Sequence, residues 1–330
     1  MSANRSNNQC QKGWRFMSKI KETIKVVLVV AVLAVAVFFG VNYLMHPHDE
    51  ATTTKPTTTK KATQKTTPHK SSINLVAVGD SLTEGVGDES EGGYVGQIKQ
   101  TLAKKQDLTV KTTNAGKSGD RSDQILARIN KSKALQQKIA KADVLTVTVG
   151  GNDLLQTLEG SITSNNTAKN NATVAKAQTL YATKLTKLFN KLQSLNGSAS
   201  IFVFSIYNPI YVNFPNVTSI THYISQWNDQ TQTTVSQYKH TYFMDINWTM
   251  SHGQYKTAAQ IRKLKQAASA TTLTSLTSAK AINGALATEN KTNDLISTSD
   301  NFHPNKRGYR VFTSKLYQTM MTHDAWLLKK

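Results

Sequence analysis

Four separated blocks of this 330-residue chain carry side chains able to do chemistry. The first, Gly79-Asp80-Ser81-Leu82-Thr83-Glu84-Gly85, offers a hydroxyl beside a carboxylate. The second, Asn114-Ala115-Gly116-Lys117-Ser118-Gly119-Asp120, and the third, Gly150-Gly151-Asn152-Asp153, combine glycines with amides and acids. The fourth, Asp300-Asn301-Phe302-His303-Pro304, sets an acid three residues before an imidazole, and of the 8 histidines only His303 has one there. Glycine turns that enter helices leave backbone N–H groups pointing outward, and donors of that kind stabilise an oxyanion.

The segments around these blocks alternate between two periods. Short apolar or β-branched runs at 73–78, 108–110, 143–149, 200–206 and 241–246 read as strands. Helical spacing appears at 94–105, 124–140 (one or two helices), 172–195, 223–238 and 304–321. Along 172–195 the residues Leu180, Leu185, Leu188, Leu192 and Leu195 are expected on one buried side. Strands separated by helices predict an α/β fold with a central parallel sheet of five strands covered on both faces. Ligands of such sheets bind at the carboxyl ends of the strands. The first three blocks fall at three such ends, and the fourth stands just before the last helix.

In this order and spacing the blocks resemble those of the GDSL, or SGNH, family of serine esterases and lipases, over roughly 73–321. The resemblance implies a three-layer, flavodoxin-like SGNH-hydrolase fold and acyl transfer without a cofactor. It implies Ser81 as nucleophile, His303 as general base and acid, and Asp300 as the residue that orients the imidazole. The oxyanion hole would be the N–H of Ser81, the N–H of Gly119 and the side-chain amide of Asn152. The family spacing from Asn114 selects Gly119, with Gly116 as its competitor. Set against these roles, a serine after Gly-Asp can be a helix cap and a Gly-Asn pair can be a turn. Asp80 reads as structural, bonding loop N–H groups, and Asp153 as the cap of the helix that follows it. Tyr207 and Asn208, after the fourth strand, are expected to line the substrate cleft with Phe214 nearby. Residues 247–299 read as a helical insertion. Its Leu264, Leu273, Leu276 and Ile282 fit either an acyl-binding lid or a helical pair packed on the domain.

Ahead of this domain, 26–41 is an unbroken run of apolar residues and glycine, and 43–45 extends it. About twenty residues reach across a bilayer core of about 30 Å. Six basic residues precede the run, so the positive-inside rule leaves 1–25 in the cytoplasm and exports the rest. An uncleaved signal anchor at 26–45 is expected, since cutting after Ala36 would leave Val37, Phe38 and Phe39 exposed; a cleaved signal peptide is the competing reading. The Thr/Lys-rich stretch 46–72 reads as a disordered tether, its His46 and His48 included, and the domain as 73–330.

The net charge of +20 is spread along the chain, with +12 falling on 73–330. It therefore forms no nucleic-acid patch, and fits either a solvated basic surface or attraction to an anionic cell-wall polymer. A single cysteine excludes a disulfide framework and any multi-cysteine zinc site. There is no HExxH, P-loop or strand-linked GxGxxG, so no metal or nucleotide cofactor is indicated. His222, His240, His252 and His323 read as structural or surface residues. The expected protein is a membrane-anchored extracellular ester hydrolase of lipid or short-chain acyl esters. An O-acetyl esterase of wall polysaccharide and a non-catalytic wall- or membrane-binding module stand beside it.

Overall fold

The computed structural model describes residues 68–161, 166–268, 270–271, 273–286 and 292–329. The expected cytoplasmic segment 1–25, the span 26–45 and the tether up to residue 67 lie outside the described residues. Among the described residues, no helix is long and apolar enough to cross a membrane.

Five strands, β1 (Ser72–Gly79), β2 (Thr109–Gly116), β3 (Val144–Val147), β4 (Ser200–Phe204) and β5 (Thr241–Met244), form one sheet in the order β2-β1-β3-β4-β5. Every neighbouring pair is parallel. The chain moves outward from β1 to β2, then crosses back to place β3 on the other side of β1. That reversal opens a crevice at the carboxyl ends of β1 and β3.

Alternation along the strands makes the two cores. Val76, Val78, Leu145, Val147, Ile201 and Val203 point to one face. Leu75, Ala77, Phe202, Phe204 and Met244 point to the other. The helices α1 (Ser81–Glu84), α2 (Gly93–Gln106), α3 (Ser122–Lys131), α4 (Lys133–Ala140), α5 (Gly151–Ser161), α6 (Thr167–Leu195) and α7 (Thr218–Val235) follow in chain order. The first face carries α3 to α7, and the second carries α2 with the last long helix, described below.

Beyond β5 come α8 (Asn247–His252), α9 (Ala258–Gln266), a 3-10 turn at Leu273–Leu276 and α10 (Ala279–Leu286). The chain closes with α11 (Lys306–Thr322) and a 3-10 turn at Asp324–Leu327. The expected insertion 247–299 is thus helical over most of its described length. Its end is not: Ile296 bridges Pro304 as an antiparallel strap.

Three expectations are corrected. Leu180 is 56% exposed, and Tyr181 takes its place in the core beside Leu185, Leu188 and Leu192. One residue is a turn of 100°, so the phenol, stacked on Trp227 with ring centroids 5.2 Å apart, rotates the leucine outward. Residues 68–72 belong to the fold and not to a tether. Lys70 Nζ lies 2.7 Å from Asp143 and donates to the Trp326 carbonyl, while Ser72 opens β1. Leu264 stands apart from Leu276 and Ile282, packing on Tyr211 and Val212.

Leu185→Ala, which empties a fully buried position, should cost about 2–5 kcal/mol, whereas Leu180→Ala should stay within about 0.5 kcal/mol. Urea denaturation of the two variants measures the difference, and equal losses would contradict the helix face assigned here.

Candidate active site

β1 delivers Ser81 through a cap. Asp80 is buried at the N-cap of α1, and its Oδ1 accepts from Leu82 N at 3.0 Å and Thr148 Oγ1 at 2.7 Å. Burial pushes the Asp80 carboxyl upward from its ordinary pKa, against those two hydrogen bonds. Asp80 is therefore a structural acid that anchors the Ser81 turn to the end of β3. Below it, Thr83 Oγ1 pairs with Tyr94 Oη and Thr148 Oγ1, so the turn rests on a closed set of buried hydroxyls.

The fourth block is held by its own acid and by the end of the insertion. Asp300 Oδ1 accepts from the N–H groups of Phe302 and His303, at 2.9 and 3.0 Å. Asp300 Oδ2 faces His303 Nδ1 at 2.6 Å, and His303 Nε2 faces Ser81 Oγ at 2.8 Å. With Nδ1 donating to the carboxylate, Nε2 is the acceptor for the serine proton. Burial would raise the Asp300 pKa, but the imidazole and the two N–H donors outweigh it and hold it at about 2. The turn is fixed from outside as well. Ser297 N donates to the His303 carbonyl, and Asn305 caps α11 through Arg307 N and Gly308 N.

Gly87 completes the approach of the first and fourth blocks. Its φ is +93°, and a Cβ there would collide with the Pro304 carbonyl oxygen. Only a glycine lets this loop lie against His303. Tyr309 of α11 donates to the Val86 carbonyl at 2.8 Å and ties the same loop from the helix side.

The oxyanion candidates occupy the ends of β1, β2 and β3. The N–H groups of Ser81 and Gly119 have no hydrogen-bond acceptor among the described residues. Gly116 is excluded, because its N–H is taken by Asn114 Oδ1 at 2.9 Å. Gly119 sits at φ +81°, which turns its peptide into a conformation that L side chains resist. Asn152 Nδ2 donates to the Asp120 carbonyl at 3.0 Å, leaving its second amide hydrogen for a ligand.

Several positioning contacts had no sequence signal. Arg128 of α3 donates Nε to Asp120 Oδ2 at 2.6 Å, Nη1 to the Ala115 carbonyl and Nη2 to the Gly79 carbonyl, both at 2.9 Å. One guanidinium thus fastens the ends of β1 and β2 to the residue that holds Asn152. Glu84 Oε2 accepts from Ser118 N and fixes the loop before Gly119. Asp153 does not cap its own helix. It lies within α5 and accepts from the N and Oγ of Ser122, at 2.9 and 2.6 Å, so it holds the start of α3.

Tyr207 and Asn208, expected to line the substrate cleft, border an apolar cavity beside the site, and their polar ends are already bonded. Tyr207 Oη donates to the Phe302 carbonyl at 2.9 Å, and Asn208 Nδ2 donates to Thr221 while its Oδ1 accepts from Ile210 N. Phe214 is buried in the core instead of lining that cavity. The walls contributed by Leu154 and Leu158 were readable in principle, as an i, i+4 apolar pair opening the helix after the third block.

A parallel five-stranded sheet with these four blocks at its ligand-binding edge defines a carboxylic ester hydrolase class of α/β protein. A model of the GDSL-like lipase/acylhydrolase family matches residues 77–311, and the chain belongs to that family. It is 28% identical over 255 residues to the uncharacterized protein YpmR of Bacillus subtilis (strain 168), covering 77% of this chain and 84% of YpmR. It is 30% identical over 161 residues to the spore germination lipase LipC of Bacillus licheniformis, covering 47% of this chain and 72% of LipC. The solved lipase Lip_vut3 from a goat rumen metagenome superposes with a TM-score of 0.54 at 24% identity, over 74% of this chain and 96% of that one, a likeness of fold.

The depressed Asp300 pKa has a definite sign. Its stabilisation is complete above the usual carboxyl value of 3.8 and is lost as pH falls through about 2. Asp300→Asn should therefore destabilise the protein at pH 7 by a margin that shrinks between about pH 4 and 2. Urea midpoints compared at pH 7, 4 and 2.5 measure it, and a margin constant with pH would refute the assignment.

Proposed function

We propose that this ester hydrolase works through a Ser81–His303–Asp300 triad and an acyl-enzyme, on lipid or short-chain acyl esters, while anchored to the outer face of a membrane. The observation that carries the mechanism is the unbroken hydrogen-bonded chain from Ser81 Oγ through His303 to Asp300. Ser81 Oγ attacks the ester carbonyl carbon as Nε2 of His303 takes its proton. The oxyanion is held by the N–H of Ser81, the N–H of Gly119 and Nδ2 of Asn152, each worth about 3–4 kcal/mol in the transition state. Collapse expels the alcohol, which receives the proton from the imidazolium and leaves the acyl group on Ser81. Water, deprotonated by the same imidazole, then releases the acid and restores the serine.

Anchoring rests on the apolar run 26–45 with its basic leading flank, and it puts the hydrolase domain outside the cell. A basic surface on the exported domain suits an anionic wall polymer as neighbour. O-acetyl ester hydrolysis on wall polysaccharide is the second reading. It uses the same chemistry, and it is favoured by the small size of the apolar cavity beside the site.

Ser81→Ala should reduce hydrolysis of p-nitrophenyl acetate by at least about 10³-fold and abolish labelling by a fluorophosphonate probe. Full activity in that variant, or labelling at another serine, would displace the nucleophile. For the anchor, the full chain should stay in the membrane pellet after carbonate washing and be cut by protease added to intact cells. Recovery in the soluble fraction would refute it.

A further inference from the structure

We infer that Leu276 and Ile282, carried by the segment after β5, form a steric filter that restricts the acyl group of the substrate to short chains. This rests on the ester-hydrolase reading of Ser81 and adds to it the part of the substrate the protein selects.

The cavity beside the site holds about 70 Å³. It is bordered by Gly151, which precedes Asn152, and by Phe302, which precedes His303. It therefore lies against two of the elements that would flank a reacting ester carbonyl. Leu154 and Leu158 of α5 and Ile224 of α7 supply much of the wall, and Leu276 and Ile282 complete it. Both closing side chains are buried and belong to the continuous core on that face of the sheet.

Two features choose the occupant. The lining is apolar, and its one side-chain amide, that of Asn208, is already bonded to Thr221 and Ile210. A sugar ring placed there would lose its hydrogen bonds to water without replacement, so the acyl side of the ester enters and the alcohol stays outside. Size then sets the length. At about 70 Å³ the cavity is roughly half the size of a cavity of about 150 Å³ that takes a benzene molecule, which fits an acetyl or propionyl chain. A longer chain meets Leu276 and Ile282, whose packed surroundings resist displacement.

The filter also explains why the insertion packs as it does. Leu276 and Ile282 are shared between the core and the cavity wall, so the alternatives of packed helical pair and acyl-binding element are not exclusive here. Packing fixes the wall, and the fixed wall limits the chain.

The test is the acyl-length profile of the full-length enzyme on p-nitrophenyl esters from C2 to C12, read as kcat/KM, with fluorophosphonate labelling of Ser81 in parallel. The wild type should favour C2–C3 over C8 by at least about tenfold, the scale on which a hydrophobic pocket discriminates by methylene groups. Ile282→Ala should raise the ratio of C6 to C2 activity by about tenfold. Leu155→Phe, which adds bulk to a partly buried wall position, should lower the ratio of C4 to C2 by a similar factor and does not depend on the folding of the cavity-forming variant. A wild type fastest on C8 or longer, or a profile that both variants leave unchanged, overturns the filter while leaving the nucleophile assignment intact. A wild type inactive on every ester and unlabelled at residue 81 overturns the underlying reading instead.

Discussion

A single hydrogen bond, 2.8 Å between Ser81 Oγ and His303 Nε2, joins residues 222 positions apart, and the architecture is arranged so that it can form. One partner leaves β1 on a capped turn, and the other precedes α11 on a turn closed by its own aspartate. Bringing them within a bond length requires the 85–88 loop to lie flat against Pro304. That is why Gly87 has no room for a side chain and why Tyr309 bonds to the Val86 carbonyl. The same packing buries Tyr94, Phe312 and Phe204 under the site, so the aromatic core on that face of the sheet sets the depth of both turns.

The oxyanion side is built differently. Its three candidate donors hang from three neighbouring strands, and a half-buried charged network keeps them in register. Arg128 reaches the carbonyls of Gly79 and Ala115 and the carboxylate of Asp120, whose own carbonyl holds Asn152. Asp80 and Thr148 connect β1 to β3 in the same way. These contacts satisfy groups that would otherwise be buried without partners, so they stabilise the fold while they fix the geometry of the strand ends. Donors held in place before the ester arrives need no reorganisation when charge develops, which is the condition under which they lower a barrier most.

The apolar cavity beside the site draws on the region that β5 leads into. Its helices contribute to the main core through Leu276, Ile282 and Leu286, while Leu264 joins a separate small cluster with Tyr211. The described part of this region is therefore two packed units rather than one sheet of leucines. The strap at 295–297 then hands the chain back to the His303 turn. The apolar cavity wall and the His303 turn thus draw on opposite ends of one connecting segment.

Sequence alone determined where the five strands lie, the class of fold and the four blocks, because these depend on local signals; that β2 runs on through Asn114 to Gly116 is set by its pairing with β1. Short runs of apolar and β-branched residues, glycine turns and an acid three residues before a histidine are all read within a few positions. The resemblance to the family's second block ranked Gly119 above Gly116. Only the tertiary structure shows that Asn114 consumes the Gly116 N–H and that Gly119 sits in a left-handed turn. The roles of Arg128, Glu84 and Asp153 were not legible, because each acts on a partner supplied by a different loop or strand end. The face of α6 was legible and was misread: spacings of three and four run back from Leu195 through Leu192, Leu188 and Leu185 to Tyr181, which leaves Leu180 one residue, about 100°, off that stripe. A chain records which side chains prefer to be buried or bonded; which neighbours they meet is settled when the elements pack.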